Sequence, residues 1–134
     1  MPQMIFVNIP VTDVAASRKF FQALGWTINE QFSDPTAACV VVSDVIFLMI
    51  LNHERFQGFA TKPLADPANS TAVLISFSQD SRAAVDSMTE AALKAGGIEP
   101  KPASDMGFMY GRTFHDLDGN VFEPVWMDMA AAQG

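Results

Sequence analysis

Cysteine is almost absent, with Cys39 alone in 134 residues. No intramolecular disulfide can form, which suits a reducing compartment, and a cytoplasmic location is expected. Cys39 lies in the apolar run 37–42 with no charged neighbour, the setting of an inert buried thiol rather than a nucleophile. Basic residues are also scarce: 8 Lys and Arg stand against 15 Asp and Glu, for a formal net charge of −7. Such a chain offers no basic patch to nucleic acid or to an anionic membrane. Its acidity is spread along the sequence and serves solubility. Long hydrophobic runs are missing too. The apolar stretch 4–11 is broken by Asn8 and Pro10 and has no basic flank, so neither a signal peptide nor a membrane span is expected. Histidine is limited to His53 and His115, which leaves few imidazoles for a metal centre.

What is present is apolar patterning. Hydrophobic residues make up 49% of the chain, enough for the core of one compact domain, expected to span 1–134. Residues 4–11 alternate, with Ile5, Val7, Ile9 and Val11 on one face and Phe6, Asn8 and Pro10 on the other, as a strand does. Thr12 and Asp13 can cap a helix over 14–24, with Val14, Phe20, Phe21 and Leu24 as core positions and Gly25 as its stop. Strands are predicted over 26–32, 37–42 and 45–51, the last two joined by a two-residue loop at Ser43 and Asp44. The second half repeats this order. A strand is read at 71–77, a helix over 82–95 capped by Asp80 or Ser81 and stopped by Gly96, and a short strand near Ile98. Strands at 108–114 and 121–127 complete it. Each half reads β-α-β-β-β, with module one at about 4–51, a linker at 52–70 with a helical turn at 53–59, and module two at about 71–127.

Between the last two strands, Asp118 and Gly119 form a strong turn signal inside the stretch 114–124. Four residues past the glycine, Glu123 sits among apolar neighbours. Alternation puts Phe122 and Trp126 on one face, suited to packing under a helix, and Val121, Glu123 and Val125 on the other. A carboxylate on a pocket-lining face suits a general base or an anchor for a cationic ligand.

The duplicated order resembles the vicinal oxygen chelate superfamily, which includes glyoxalase I, extradiol dioxygenases, fosfomycin-inactivating transferases, methylmalonyl-CoA epimerase and bleomycin-binding proteins. The residues that carry the resemblance are Val11, Thr12, Asp13, Ser17, Phe20, Phe21, Leu24 and Gly25 in the first half. In the second they are the stretch 114–120 and Glu123. The resemblance implies an α+β fold: two β-α-β-β-β modules forming curved mixed sheets with outer helices. It places metal ligands on the first and fourth strands of each module, at Phe6, Leu48, Ala72 and Glu123. Three of these four are apolar, so no bound metal or other cofactor is expected.

The expected ligand pocket comprises Phe6, Asn8, Leu48, Tyr110, Arg112 and Glu123, with Glu123 as the candidate catalytic residue. Arg112 is read either as a partner of Glu123 or of an anionic substrate group on the pocket face, or as a surface residue on the other face. The resemblance leaves two functions open. One is an enzyme of the lyase or isomerase kind, with Glu123 moving a proton next to a carbonyl. The other is a metal-free protein that sequesters a small ligand without catalysis. A homodimer is expected, because the loop residues Phe56, Phe59 and Phe108 need cover.

Overall fold

The computed structural model describes residues 2–133, which divide into two compact units, 2–66 and 67–133. The first unit runs β1 (Ile5–Val11), α1 (Val14–Ala23), β2 (Thr27–Asp34), β3 (Ala37–Val41), β4 (Ile46–Asn52) and α2 (His53–Phe59). Its four strands form one mixed sheet in the order β1-β4-β3-β2. The edge strand β1 lies parallel to β4, in a register that pairs Phe6 with Phe47, Val7 with Leu48 and Asn8 with Met49. Asp13 caps α1, its Oδ1 accepting from the Ala16 amide, and Gly25 ends the helix at φ +96°. The helix buries Val14, Ser17, Phe20 and Phe21. The buried residues Ile9, Val11, Val40, Leu48 and Ile50 fall on a single face of the sheet by the same register.

The second unit runs β5 (Leu74–Ser78), α3 (Arg82–Lys94), β6 (Ser104–Asp105), β7 (Met109–Gly111), β8 (Phe114–His115), β9 (Val121–Met127) and α4 (Met129–Gln133). Its sheet has the order β5-β9-β7-β6, and β8 pairs with β9 beyond β7. Here too the first strand lies parallel to the last, with Ile75 against Phe122 and Ser76 against Glu123. Ser81 caps α3, its Oγ accepting from the Ala84 amide. Phe122 is fully buried and stacks on Phe77 and Phe114 at 5.9 and 5.5 Å between ring centres. Such pairs add about 0.5–1.5 kcal/mol beyond simple burial. The architecture is therefore mixed α+β, with two unclosed sheets of four and five strands.

Several boundaries differ from the sequence reading, each for a local reason. The strand predicted over 108–114 is split into β7 and β8. Arg112 donates its amide to the Pro124 carbonyl at 3.2 Å, but Pro124 has no N–H to return. The short strand near Ile98 is a single bridge to His115, bounded by Pro100 and Pro102. The loop after β3 is four residues, Val42 to Val45. The Ile46 carbonyl accepts from Val42 and Ser43, and the Ser43 hydroxyl accepts from the Val45 and Ile46 amides. Residues 71–73 precede β5 rather than belonging to it.

Candidate functional site

Glu123 occupies the middle of β9, half-buried, on the face that does not carry Phe122. The antiparallel register of β9 with β7 and β8 runs without a shift, so Thr113 lies opposite Glu123. The carboxylate is held from both sides by hydroxyls. Ser76 donates from β5 to Oε1 at 3.2 Å, and Thr113 donates to Oε2 at 3.4 Å. Thr113 is buried, whereas Ser76 is open to solvent. Among the described residues no lysine or arginine pairs with Glu123. Neither hydroxyl was singled out from the sequence. The available signal for Ser76 is its place between Ile75 and Phe77, which marks it as the polar side of an alternating strand.

Tyr110 and Arg112 fall on the opposite face, with Phe114, Phe122 and Trp126. Their side chains run to α3 and not to Glu123. Arg112 spans three carboxylates, reaching Asp86 at 3.0 Å, Glu90 at 2.8 Å and Glu99 at 2.9 Å. The Tyr110 hydroxyl donates to Asp86 at 2.6 Å. The physical cause is the helix: Asp86 and Glu90 sit one turn apart on α3 and draw the guanidinium to that side. Arg112 is thereby held more firmly protonated, first by Glu99 and against the cost of burial. The Tyr110 bond and the guanidinium together hold Asp86 below its usual range, and Arg112 does the same for Glu99. This cluster fastens the sheet to its helix, and the expected Arg112–Glu123 pair does not form. Beside it, Arg82 grips Asp105 with two bonds and lies over the Tyr110 and Trp126 rings at 5.2 and 5.1 Å.

In the first unit, Phe6 and Asn8 share a face with Phe47 and Met49, their partners on β4. Phe6 stacks on Phe47 at 5.0 Å with the rings 13° from parallel, yet keeps 51% of its surface exposed. Leu48 does not belong to this face. It is 2% exposed and packs on the side that carries Ile9 and Ile50, so its place in the expected pocket is corrected to Met49. Ala72 is likewise replaced: it precedes β5, and the residue paired with Glu123 is Ser76. The acidic turn has a structural task. Asp116 is buried and accepts from the Asp118 and Asn120 amides and from Asn120 Nδ2, while burial pushes its carboxyl upward against those bonds. Cys39 is buried, which pushes its thiol up and away from nucleophilic chemistry.

The residues at the four positions where a metal would be sought are thus Phe6 with Phe47 or Asn8 with Met49 in one unit, and Ser76 with Glu123 in the other. Phenyl rings cannot coordinate a cation, and a thioether, an amide and a hydroxyl are poor ligands for zinc, nickel or iron. Among the described residues no three His, Cys, Asp or Glu gather as a metal-holding group. Neither unit's set fits a catalytic divalent metal.

The bleomycin resistance protein-like N-terminal family matches residues 3–43. A hypothetical protein of S. aureus, SA1046, is 26% identical, with 94% of this chain and 95% of that one covered and a TM-score of 0.78. A glyoxalase/bleomycin resistance protein/dioxygenase family enzyme from Burkholderia phytofirmans is 22% identical over 94% and 99% of the two chains, with a TM-score of 0.75. The fosfomycin resistance protein FosX from Mesorhizobium loti is 14% identical over 100% and 99%, with a TM-score of 0.71. No curated protein matches the chain. No helix among the described residues is long and apolar enough to cross a membrane.

Proposed function

From the premise that this chain carries the vicinal oxygen chelate fold, we propose that it handles a small organic molecule through Glu123 and without a resident metal. The observation that carries the reading is a half-buried carboxylate, oriented by the Ser76 and Thr113 hydroxyls and matched by no cation among the described residues. A carboxylate tied to an arginine has its charge answered within the protein. One held only by hydroxyls remains free to accept a proton or to bond a ligand N–H. In the enzymatic form of the proposal, Glu123 abstracts a proton next to a substrate carbonyl. Ser76 and Thr113 keep its oxygens aimed and donate to the anionic form.

A second reading, sequestration without turnover, is favoured by the exposed Phe6–Phe47 stack with Met49 beside it. An aromatic and thioether surface of this kind takes up flat apolar ligands. In either form the two units act as one domain. Exposed Phe59 and Phe108 support a homodimer, and the lone reduced cysteine supports a cytoplasmic setting.

Glu123→Gln tests the proposal, because it keeps the size of the side chain and removes its basicity. A metabolite panel screened by thermal shift against the parent supplies the ligands. If Glu123 is a base, the variant keeps ligand affinity while turnover falls by roughly 10²–10⁴. If Glu123 anchors a ligand cation, affinity itself falls by roughly tenfold or more. A variant that binds and turns over the same compounds as the parent removes Glu123 from the function.

A further inference from the structure

We propose that the second unit holds a site for a soft monovalent cation, Cu(I), built from the thioethers of Met106, Met109 and Met127. The antiparallel register sets Met109 directly opposite Met127 on β9. The pairing of β6 with β7 sets Ser104 opposite Gly111 and Asp105 opposite Tyr110. One step further it brings Met106 opposite Met109, and the Met106 amide donates to the Met109 carbonyl at 2.8 Å. Directly opposed residues share a face and lie about 4.5–5.5 Å apart between Cα atoms. Three methionines therefore stand side by side in one row across three segments of the chain.

Thioether sulfur is a soft ligand that selects Cu(I) over zinc, nickel or iron. Methionine carries it on three rotatable bonds, so three neighbouring side chains can turn their sulfurs onto one ion. Among the described residues Met88 gives its sulfur to a hydrogen bond from Gln79, and none of the three does so. The row is open to solvent: Met106 is 59% and Met127 38% exposed, and Met109 is half-buried. Apolar side chains grouped in water call for an occupant. The net charge of −7 favours a cation as that occupant.

The backbone beneath the row is fixed from the helix side. Arg82 donates to both oxygens of Asp105, at 2.8 and 3.0 Å, and to the Gly107 carbonyl at 2.7 Å. Asp105 in turn accepts from the Gly107 amide at 2.9 Å, and Gly107 makes the turn at φ +82°. The Asp128 amide ties the end of β9 to the Phe108 carbonyl at 2.7 Å. Ligands carried on a backbone held in this way bind at a lower ordering cost. The row lies four residues beyond Glu123 on β9, about 13 Å at the usual strand rise, with Gly111 and Val125 between. It takes no part in the Glu123 reading, and copper is acquired on supply rather than held as a metal of that carboxylate.

The test is a titration of the full chain, methyl-labelled at methionine, with Cu(I) under anaerobic conditions, followed by two-dimensional NMR. The expected result is shifts at the Met106, Met109 and Met127 methyls that saturate at one equivalent, while the Met4 and Met88 methyls stay in place. Zn(II) is expected to leave the row unmoved. Met109→Leu and Met127→Leu keep the apolar volume and remove the sulfur. Each is expected to weaken Cu(I) by about tenfold or more, since even the partners behind a metal ligand are worth that much. Met4→Leu and Glu123→Gln are expected to bind Cu(I) like the parent, so failure of the Glu123 reading leaves this one standing. The methyl spectrum reports at the same time that each variant is folded. Shifts spread evenly over the methionines, uptake confined to Cys39, or parent-like affinity in Met109→Leu would overturn the proposal.

Discussion

Arg112→Met is expected to destabilise the second unit by about 2–3 kcal/mol. The Arg112 side chain is 11% exposed and carries ion pairs to Asp86, Glu90 and Glu99, while Tyr110 bonds Asp86 as well. Removing it strands three carboxylates against one another. Breaking a buried pair in this way costs about 3–5 kcal/mol, and the lower figure follows because exposed carboxylates can hydrate. Asp86 and Glu90 are 48% and 64% exposed, whereas Glu99 is 24% exposed. Arg112→Lys is expected to recover only part of the loss, since a single ammonium cannot span the three sites.

The same cluster sets an acid dependence. Asp86 and Glu99 titrate below their usual values in the folded chain. Their contribution is fully present above the unfolded carboxylate values, about 3.9 for Asp and 4.3 for Glu, and is lost as the pH falls through the lower folded values. Asp116 acts with the opposite sign, because burial raises it and protonation then favours the folded state. Urea melts of parent and Arg112→Met from neutral to acid pH should converge as the pH falls. Parallel curves at a constant gap would show that Arg112 acts through packing alone.

Gly119→Ala is expected to cost about 3 kcal/mol, combining backbone strain with a steric clash. Gly119 has φ +99°, and an added Cβ would meet the Pro67 carbonyl oxygen at 2.5 Å and its carbon at 2.9 Å. These are backbone atoms that cannot rotate away. The turn also sets the register of β8 against β9, and hence the position of Thr113 opposite Glu123. The variant should melt earlier, and any activity or binding that depends on Glu123 should weaken with it. A melt within 0.5 kcal/mol of the parent, the usual limit for surface changes, would show that the 67–68 segment yields.

The two helices and their caps were legible because an N-cap and a stopping glycine are local signals. The face assignment on β9 was legible because Phe122, Glu123, Val125 and Trp126 differ enough in polarity for the period of two to show. On β4 it was not. Ile46 to Leu51 is apolar on both faces, so alternation carries no direction, and Leu48 was placed on the wrong side. Tyr110 and Arg112 turned on a register that no local pattern specifies. Gly107 and Gly111 both permitted a bulge, and none is present. The carboxylates that settle the matter lie on α3 and after it, 13 to 26 residues away in sequence. Ser76 and Thr113 escaped notice because a short hydroxyl in a strand has many uses, and only the register brings both to Glu123.

The central claim is that Glu123 works without a resident metal, because phenyl, thioether, amide and hydroxyl groups stand where the fold's ligands would be. The most direct measurement is elemental analysis of protein purified without added metal, in the parent and in Glu123→Gln. The expected result is transition metal well below one equivalent per chain in both, with no change in melting on chelation. Near-stoichiometric zinc, nickel, iron or manganese in the parent, lost in Glu123→Gln, would contradict the account and return the site to metal-assisted chemistry.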